Sequence, residues 1–139
     1  MKVKLKKLDS SAKLPSYAHN GDAGLDLEVR NVLNISPTVV EYGFGLAVEI
    51  PKGYVGLLFP RSSVYKTGMV QTNCVGVIDS GYRGEIKVKF YKGENDETFE
   101  VGDRACQLLI LPYPNIEVVE VEKLSETSRG DGGFGSTGK

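Results

Sequence analysis

The chain has 139 residues, 40% of them hydrophobic, which fits one globular domain around one core. Seventeen Lys and Arg against eighteen Asp and Glu leave a net charge of −1, so no overall basic field recruits nucleic acid, and a polyanion must be gripped by a local cluster. No apolar run approaches a membrane span and no signal-peptide pattern follows Met1, which points to a cytoplasmic protein.

In chain order, Val3, Leu5 and Leu8 punctuate a Lys-rich opening strand that ends before Pro15. The single histidine, His19, stands beside Asn20-Gly21-Asp22 in a polar turn, and nothing around it has the form of a nucleophile elbow. Residues 25–29 alternate with period two. Residues 44–50 form the next strand, closed by Pro51-Lys52-Gly53, and residues 54–59 another, closed by Pro60. A helix of about one turn is expected over residues 63–66, ended near Gly68. Residues 74–78 are almost continuously apolar, which predicts a strand buried on both faces. Residues 85–91 alternate strictly: Ile86, Val88 and Phe90 face one side, Glu85, Lys87 and Lys89 the other. Residues 105–111 and 116–121 complete the strands.

Many short strands with Gly and Pro between them predict an all-β sandwich, jelly roll or small barrel. Cys74 and Cys106 both lie in apolar runs and are expected to be buried as small hydrophobes. With one His, they cannot build a tetrahedral structural zinc site. Composition changes only after Leu124, so residues 1–124 read as the β domain and residues 125–139 as a glycine-rich, flexible arm.

Four places carry chemistry. In the arm, five of the nine residues from Gly130 to Gly138 are glycine, yet Arg129, Phe134, Ser136, Thr137 and Lys139 are also there. A frayed terminus is the ordinary reading; the same groups suit an oligophosphate and a flat heterocycle. In Val75-Gly-Val-Ile-Asp79-Ser-Gly-Tyr82-Arg-Gly84, an apolar strand ends in a carboxylate, followed by a turn that swings an aromatic back. Asp79 either caps that turn or is an environmentally tuned base. Pro60-Arg61-Ser62-Ser63 opens the short helix, where serine ordinarily caps, but where N–H donors, hydroxyls and a guanidinium also meet an anion. In Gly102-Asp-Arg-Ala-Cys-Gln107, a polar Gln107 interrupts an apolar strand and needs backbone or ligand partners.

Taken in order, Asp22-Ala-Gly-Leu-Asp-Leu27, Pro60-Arg-Ser-Ser63, Gly76-Val-Ile-Asp-Ser-Gly-Tyr-Arg-Gly84, Gly102-Asp-Arg-Ala-Cys-Gln107 and Arg129-Gly-Asp-Gly-Gly-Phe-Gly-Ser-Thr-Gly138 resemble the five motifs of trimeric dUTPases. The resemblance implies a β jelly roll of the β-clip type, assembled as a homotrimer with active sites at subunit interfaces. It implies Mg²⁺-dependent hydrolysis of dUTP to dUMP and pyrophosphate, which limits uracil in DNA and supplies dUMP for dTMP synthesis. Carried over residue by residue, Asp79 is the base that orients water toward the α-phosphorus. Asp26 bears on Mg²⁺ through water or on site architecture, and phosphates hold most of the metal. Tyr82 packs against the deoxyribose and excludes a 2′-hydroxyl; Asn73 and the backbone of Gly76, Val77 and Ile78 read uracil. Arg61, Ser62, Ser63 and Gln107 resemble the phosphate contacts, with Lys87 as a site-facing neighbour. Arg129, Gly135, Ser136 and Thr137 close over the outer phosphates, and Phe134 stacks over the base.

Ala105-Cys106 replaces the Ile-Ala common in the fourth motif, and Gly93-Glu-Asn-Asp-Glu97 is an acidic turn without an assigned role. The related dCTP deaminases use a Glu on the strand after the Ile-Asp turn; the matching residue here is Lys89, which cannot act as that carboxylate. A third reading is a phage-type dUTPase that also binds a regulatory protein, although no insert between the motifs supplies a separate surface for one.

Overall fold

Alternation over residues 85–91 becomes a strand with the expected faces: in β8 (Glu85–Tyr91), Ile86, Val88 and Phe90 are buried, while Lys87 and Lys89 are exposed. The computed structural model describes residues 1–138; Lys139, one of the arm's cations, lies outside the described residues. The other strands are β1 (Lys4–Lys7), β2 (Leu25–Glu28), β3 (Asn31–Ser36), β4 (Val39–Glu49), β5 (Tyr54–Pro60), β6 (Val70–Gln71), β7 (Gly76–Ile78) and β9 (Arg104–Pro112). Among the described residues the one helical element is a 3₁₀ turn, Ser62–Lys66.

All pairings are antiparallel, in two sheets. One has the order β1-β4-β8-β6, with β3 also on β4; the other runs β2-β9-β5-β7. Their facing sides share one core, with Tyr42, Phe44, Leu46, Ile86 and Phe90 from the first sheet and Leu27, Leu58, Cys106 and Leu108 from the second. Tyr42, Phe90 and Phe99 meet edge to face, with ring centroids 5.5 to 5.9 Å apart. The Tyr42 hydroxyl accepts from Phe99 N at 3.1 Å and donates to Met69 Sδ at 3.6 Å, so its polar end is not orphaned.

The long strand β4 pairs with β3 over its first half, with β1 over its second and with β8 on its other side, and its register with β8 shifts between Gly43 and Ala47. Gly45 sits there at φ +64°, and a Cβ would press on Ala12 and Arg30, so both conformation and space call for glycine. The freed Gly45 N–H donates to Glu85 Oε1 at 2.8 Å.

Several expectations need correction. Residues 74–78 are not a doubly buried strand: β7 is a three-residue edge strand with only Ile78 in the core, and Val77 is 65% exposed. Cys74 is exposed at φ +56° in the turn before it, whereas Cys106 is buried as expected and its thiol is pushed up to about 12 by desolvation. Residues 116–121 form no strand, and Ile116 and Val118 stand 74% and 88% exposed. An isolated apolar strand needs an edge to join, and no edge of its own chain receives this one. Strands β3, β6 and the first half of β4 were not expected; β3 is exposed along most of its length and so has no buried face to impose alternation. Among the described residues, no helix is long and apolar enough to cross a membrane.

Candidate active site

The turn after β7 builds a small pocket of about 220 Å³. Its walls include Asn73, Gly76, Val77, Ile78, Asp79, Tyr82 and Lys87, which brings the expected base- and sugar-side residues together. Tyr82 N donates to Asp79 O at 3.0 Å, closing the turn through backbone. The Asp79 side chain does not cap it: the carboxylate is exposed and has no hydrogen bond or ion pair among the described residues. The Tyr82 hydroxyl donates to Glu85 O at 2.9 Å, pinning the ring across Gly84. A Cβ on Gly84 would overlap the tyrosine ring and hydroxyl, so this glycine makes room for it. Lys87 lines the same pocket but is engaged with Glu41 at 3.1 Å, and the hydrogen bond it donates to that carboxylate holds its ammonium above the ordinary lysine range.

A second pocket, of about 510 Å³, lies at the other edge of the same sheet and includes Asp26, Arg61, Ser62 and Gln107. Here Asp26 is the pivot. Its side chain is 13% exposed and takes Arg61 Nε at 3.1 Å on one oxygen and Arg104 Nη1 at 3.0 Å on the other. Two guanidiniums around one carboxylate leave a net positive charge, with further N–H donors available to an anion. Gln107 lies across from Asp26 on β9 and donates to Pro60 O at 3.4 Å. Its side chain fits only because residue 24 is glycine, where a Cβ would overlap the Gln107 amide oxygen. Ser63 borders an adjoining cavity of about 390 Å³ with Arg61 and Arg104. The serines do not cap the 3₁₀ turn: Arg61 occupies the cap position, without a side-chain cap bond.

Arg129, Phe134, Gly135, Ser136 and Thr137 reach neither pocket. The hydrogen bonds here stay within residues 127–138, such as Arg129 Nε to Gly132 O at 3.0 Å and Ser136 N to Gly133 O at 3.0 Å. Phe134 is fully exposed, at φ +48°. The expected residues thus fall into three clusters. Those on β2 and β7 lie at opposite edges of a four-stranded sheet, three strand spacings or about 14 Å apart.

Among the described residues no cluster of three or more His, Cys, Asp or Glu could cage a metal. Asp26, already shared by two arginines, has little left for direct coordination. That donor set fits Mg²⁺ only if phosphate and water fill most of its shell, which is how Mg²⁺ is commonly bound at nucleotides. Sequence reasoning passed over Arg104, although it lies in the same short motif as Gln107. It also missed Gln71, whose one signal was a lone amide in Met69-Val-Gln-Thr72, and the space-making roles of Gly24 and Gly84.

Two antiparallel sheets around one core, with polar pockets at opposite edges of the smaller sheet, define an all-β protein of jelly-roll type. The chain belongs to the dUTPase family, whose model matches residues 10–138. Relatives named deoxyuridine 5'-triphosphate nucleotidohydrolase include that of Nautilia profundicola, 46% identical over 100% of both chains, and that of Finegoldia magna, 44% identical over 99% of each. Among solved structures, the dUTPase of Staphylococcus bacteriophage 80alpha with dUpNHpp superposes with a TM-score of 0.86, at 31% identity over 99% of each chain. A variant of the dUTPase from phage phi11 of S. aureus, described as revealing the coordination of a structural Mg(II) ion, has a TM-score of 0.74 at 26% identity, covering 88% of this chain and 98% of its own.

Proposed function

We propose that this chain hydrolyses dUTP to dUMP and pyrophosphate in the cytoplasm, with Mg²⁺, as a homotrimer whose sites combine parts of neighbouring subunits. The observation that carries this reading is the unpaired Asp79 carboxylate on the rim of a pocket walled by Asn73, the Gly76–Ile78 backbone and Tyr82. An acceptor-only carboxylate there holds a water and takes its proton as the water attacks the α-phosphorus. The Tyr82 ring lies flat against the deoxyribose and leaves no room for a 2′-hydroxyl, so UTP meets a clash and a stranded polar group. Val77 and Ile78 offer backbone groups to the base, and the narrow space beside Gly76 excludes a 5-methyl.

The triphosphate calls on the second cluster. Arg61, Ser62, Ser63 and Gln107 supply donors, and Asp26 fixes Arg61 and Arg104 in place. Mg²⁺, when bound with the nucleotide, neutralises phosphate charge; Asp26 would meet it through water at most. A site with its two halves at opposite sheet edges is completed by a second copy. The exposed apolar residues Val32, Leu33, Val77, Ile116, Val118 and Val121 supply surface for such assembly. Residues 125–139 then act as an arm that orders on nucleotide, with Phe134 over the base and Arg129, Gly135, Ser136 and Thr137 around the outer phosphates.

The test is an assay of purified protein with Mg²⁺ and each deoxynucleoside triphosphate, read for pyrophosphate and for ammonia. Pyrophosphate from dUTP alone is expected. Ammonia from dCTP would overturn the reading in favour of a deaminase, which the Lys89–Glu41 contact of 3.6 Å does not favour, since it occupies the matching position with a paired cation.

A further inference from the structure

Gln71 is the one buried polar residue of the core among the described residues, 3% exposed, on the short strand β6. Its amide nitrogen bridges the two sheets: Nε2 donates to Leu58 O on β5 at 3.1 Å and to Asn73 Oδ1 at 3.1 Å. Its Oε1 is buried without a protein partner. An apolar side chain here would spare the fold the desolvation of that oxygen, so packing does not account for the glutamine.

The polarity of this chain of contacts is fixed at one end. A backbone carbonyl only accepts, so Leu58 O forces the Gln71 nitrogen toward itself. That same nitrogen faces Asn73, which must answer with its oxygen. The Asn73 amide is then oriented with Nδ2 away from Gln71 and beside Gly76, where a Cβ on that glycine would lie 3.7 Å from it. Gly76 and Asn73 both line the pocket at β7.

With Asn73 read as a wall of the base pocket, as proposed above, we infer that Gln71 is a positioning residue that sets base specificity by holding Asn73 as an N–H donor. A donor at that place donates to the 4-oxo group of uracil and faces the 4-amino group of cytosine donor to donor. Freed from Gln71, the Asn73 amide turns over and offers an acceptor equally well. The buried amide thus links a backbone carbonyl of one sheet to the choice between two pyrimidines.

The experiment compares Gln71→Leu and Gln71→Met with wild type in full-length protein, measuring kcat and KM for dUTP and Ki for dCTP as competitor. The expected result is an unchanged kcat, a melting temperature within a few degrees of wild type, and a fall of about tenfold in the ratio of dCTP Ki to dUTP KM, the scale of one hydrogen bond. An unchanged ratio in a folded variant overturns the inference. Asn73→Ala separates the two layers: if it too leaves the ratio unchanged, the base-pocket reading fails, whereas if it lowers the ratio and the Gln71 variants do not, only the role of Gln71 falls. Should both Gln71 variants misfold, side-chain amide hydrogen exchange in the wild-type protein decides. Both Gln71 amide protons are expected to be strongly protected, and exchange at the rate of exposed amides overturns the orientation argument.

Discussion

Glycine is dense both in the turn from Gly76 to Gly84 and in the arm from Gly130 to Gly138, yet it does different things in each. In the turn, Gly81 is open, but Gly76 lies against Leu58 and Gly84 against the Tyr82 ring, so at the two ends the missing Cβ is space that a neighbour occupies. In the arm, a Cβ on Gly130, Gly133, Gly135 or Gly138 would meet nothing within 4 Å, and one on Gly132 would meet only the arm's own Ser136 and Arg129. There the missing Cβ leaves the chain conformationally free, which opposes ordering. The turn is a shaped wall, and the arm, on the function proposed above, is loose cover. The same residue type can therefore mark a built site or an unbuilt one, and only what surrounds it distinguishes them.

The largest effect expected from testing this contrast lies in the wall. Asp79→Asn removes the proposed base but touches no packing, since the carboxylate is exposed and unbonded. Turnover is expected to fall by about 10³-fold or more, with melting temperature and nucleotide binding retained. Near-normal dUMP formation by that variant would remove Asp79 from the chemistry. The cover comes next. Deleting residues 129–139 is expected to leave a folded trimer by sedimentation and to reduce pyrophosphate release on the order of 10²-fold, because only orientation and water exclusion are lost. A monomeric or unfolded product would mean that the arm is structural and that the contrast is false. A smaller effect is expected from Gly84→Ala, which displaces Tyr82 from Glu85 O without altering any reacting group. The ratio of kcat/KM for dUTP over UTP should drop about tenfold, the scale of one misfitted contact. An unchanged ratio would show that the ring does not read the sugar.

The parts of the fold legible in the sequence are those where one face is buried. β8 announced itself through strict alternation, and β9 through an apolar run broken only by Gln107. β3 did not, because Val32, Leu33 and Ile35 are exposed and their order carries no period. Residues 116–121 are rich in β-branched residues but find no edge in their own chain, so composition alone announced a strand that no pairing supports. The site was legible as motifs but not as geometry. Asp79, Tyr82, Arg61 and Gln107 stand out as candidates from their local setting, whereas Arg104 emerges only through its contact with Asp26. The role of Gln71 likewise depends on Leu58 and Asn73 meeting it from two sheets. Side chains that act by holding another side chain leave no local signal.

Gly133→Ala gives the smallest effect and the sharpest reading of the contrast. Gly133 lacks the positive φ of Gly130, Gly135 and Gly138, and a Cβ there meets nothing within 4 Å. Alanine at that position therefore strains neither backbone nor packing, and it removes some of the conformational freedom of the open arm, a change of about 0.4–1 kcal/mol. If the arm is loose cover, KM for dUTP should shift by less than about fivefold, the rate equivalent of that free energy, and melting should not change. Equal damage from Gly133→Ala and from removal of the whole arm would carry the opposite meaning. The closed arm would then pack residue 133 as closely as the turn packs Gly84, and its glycines too would be there to make room.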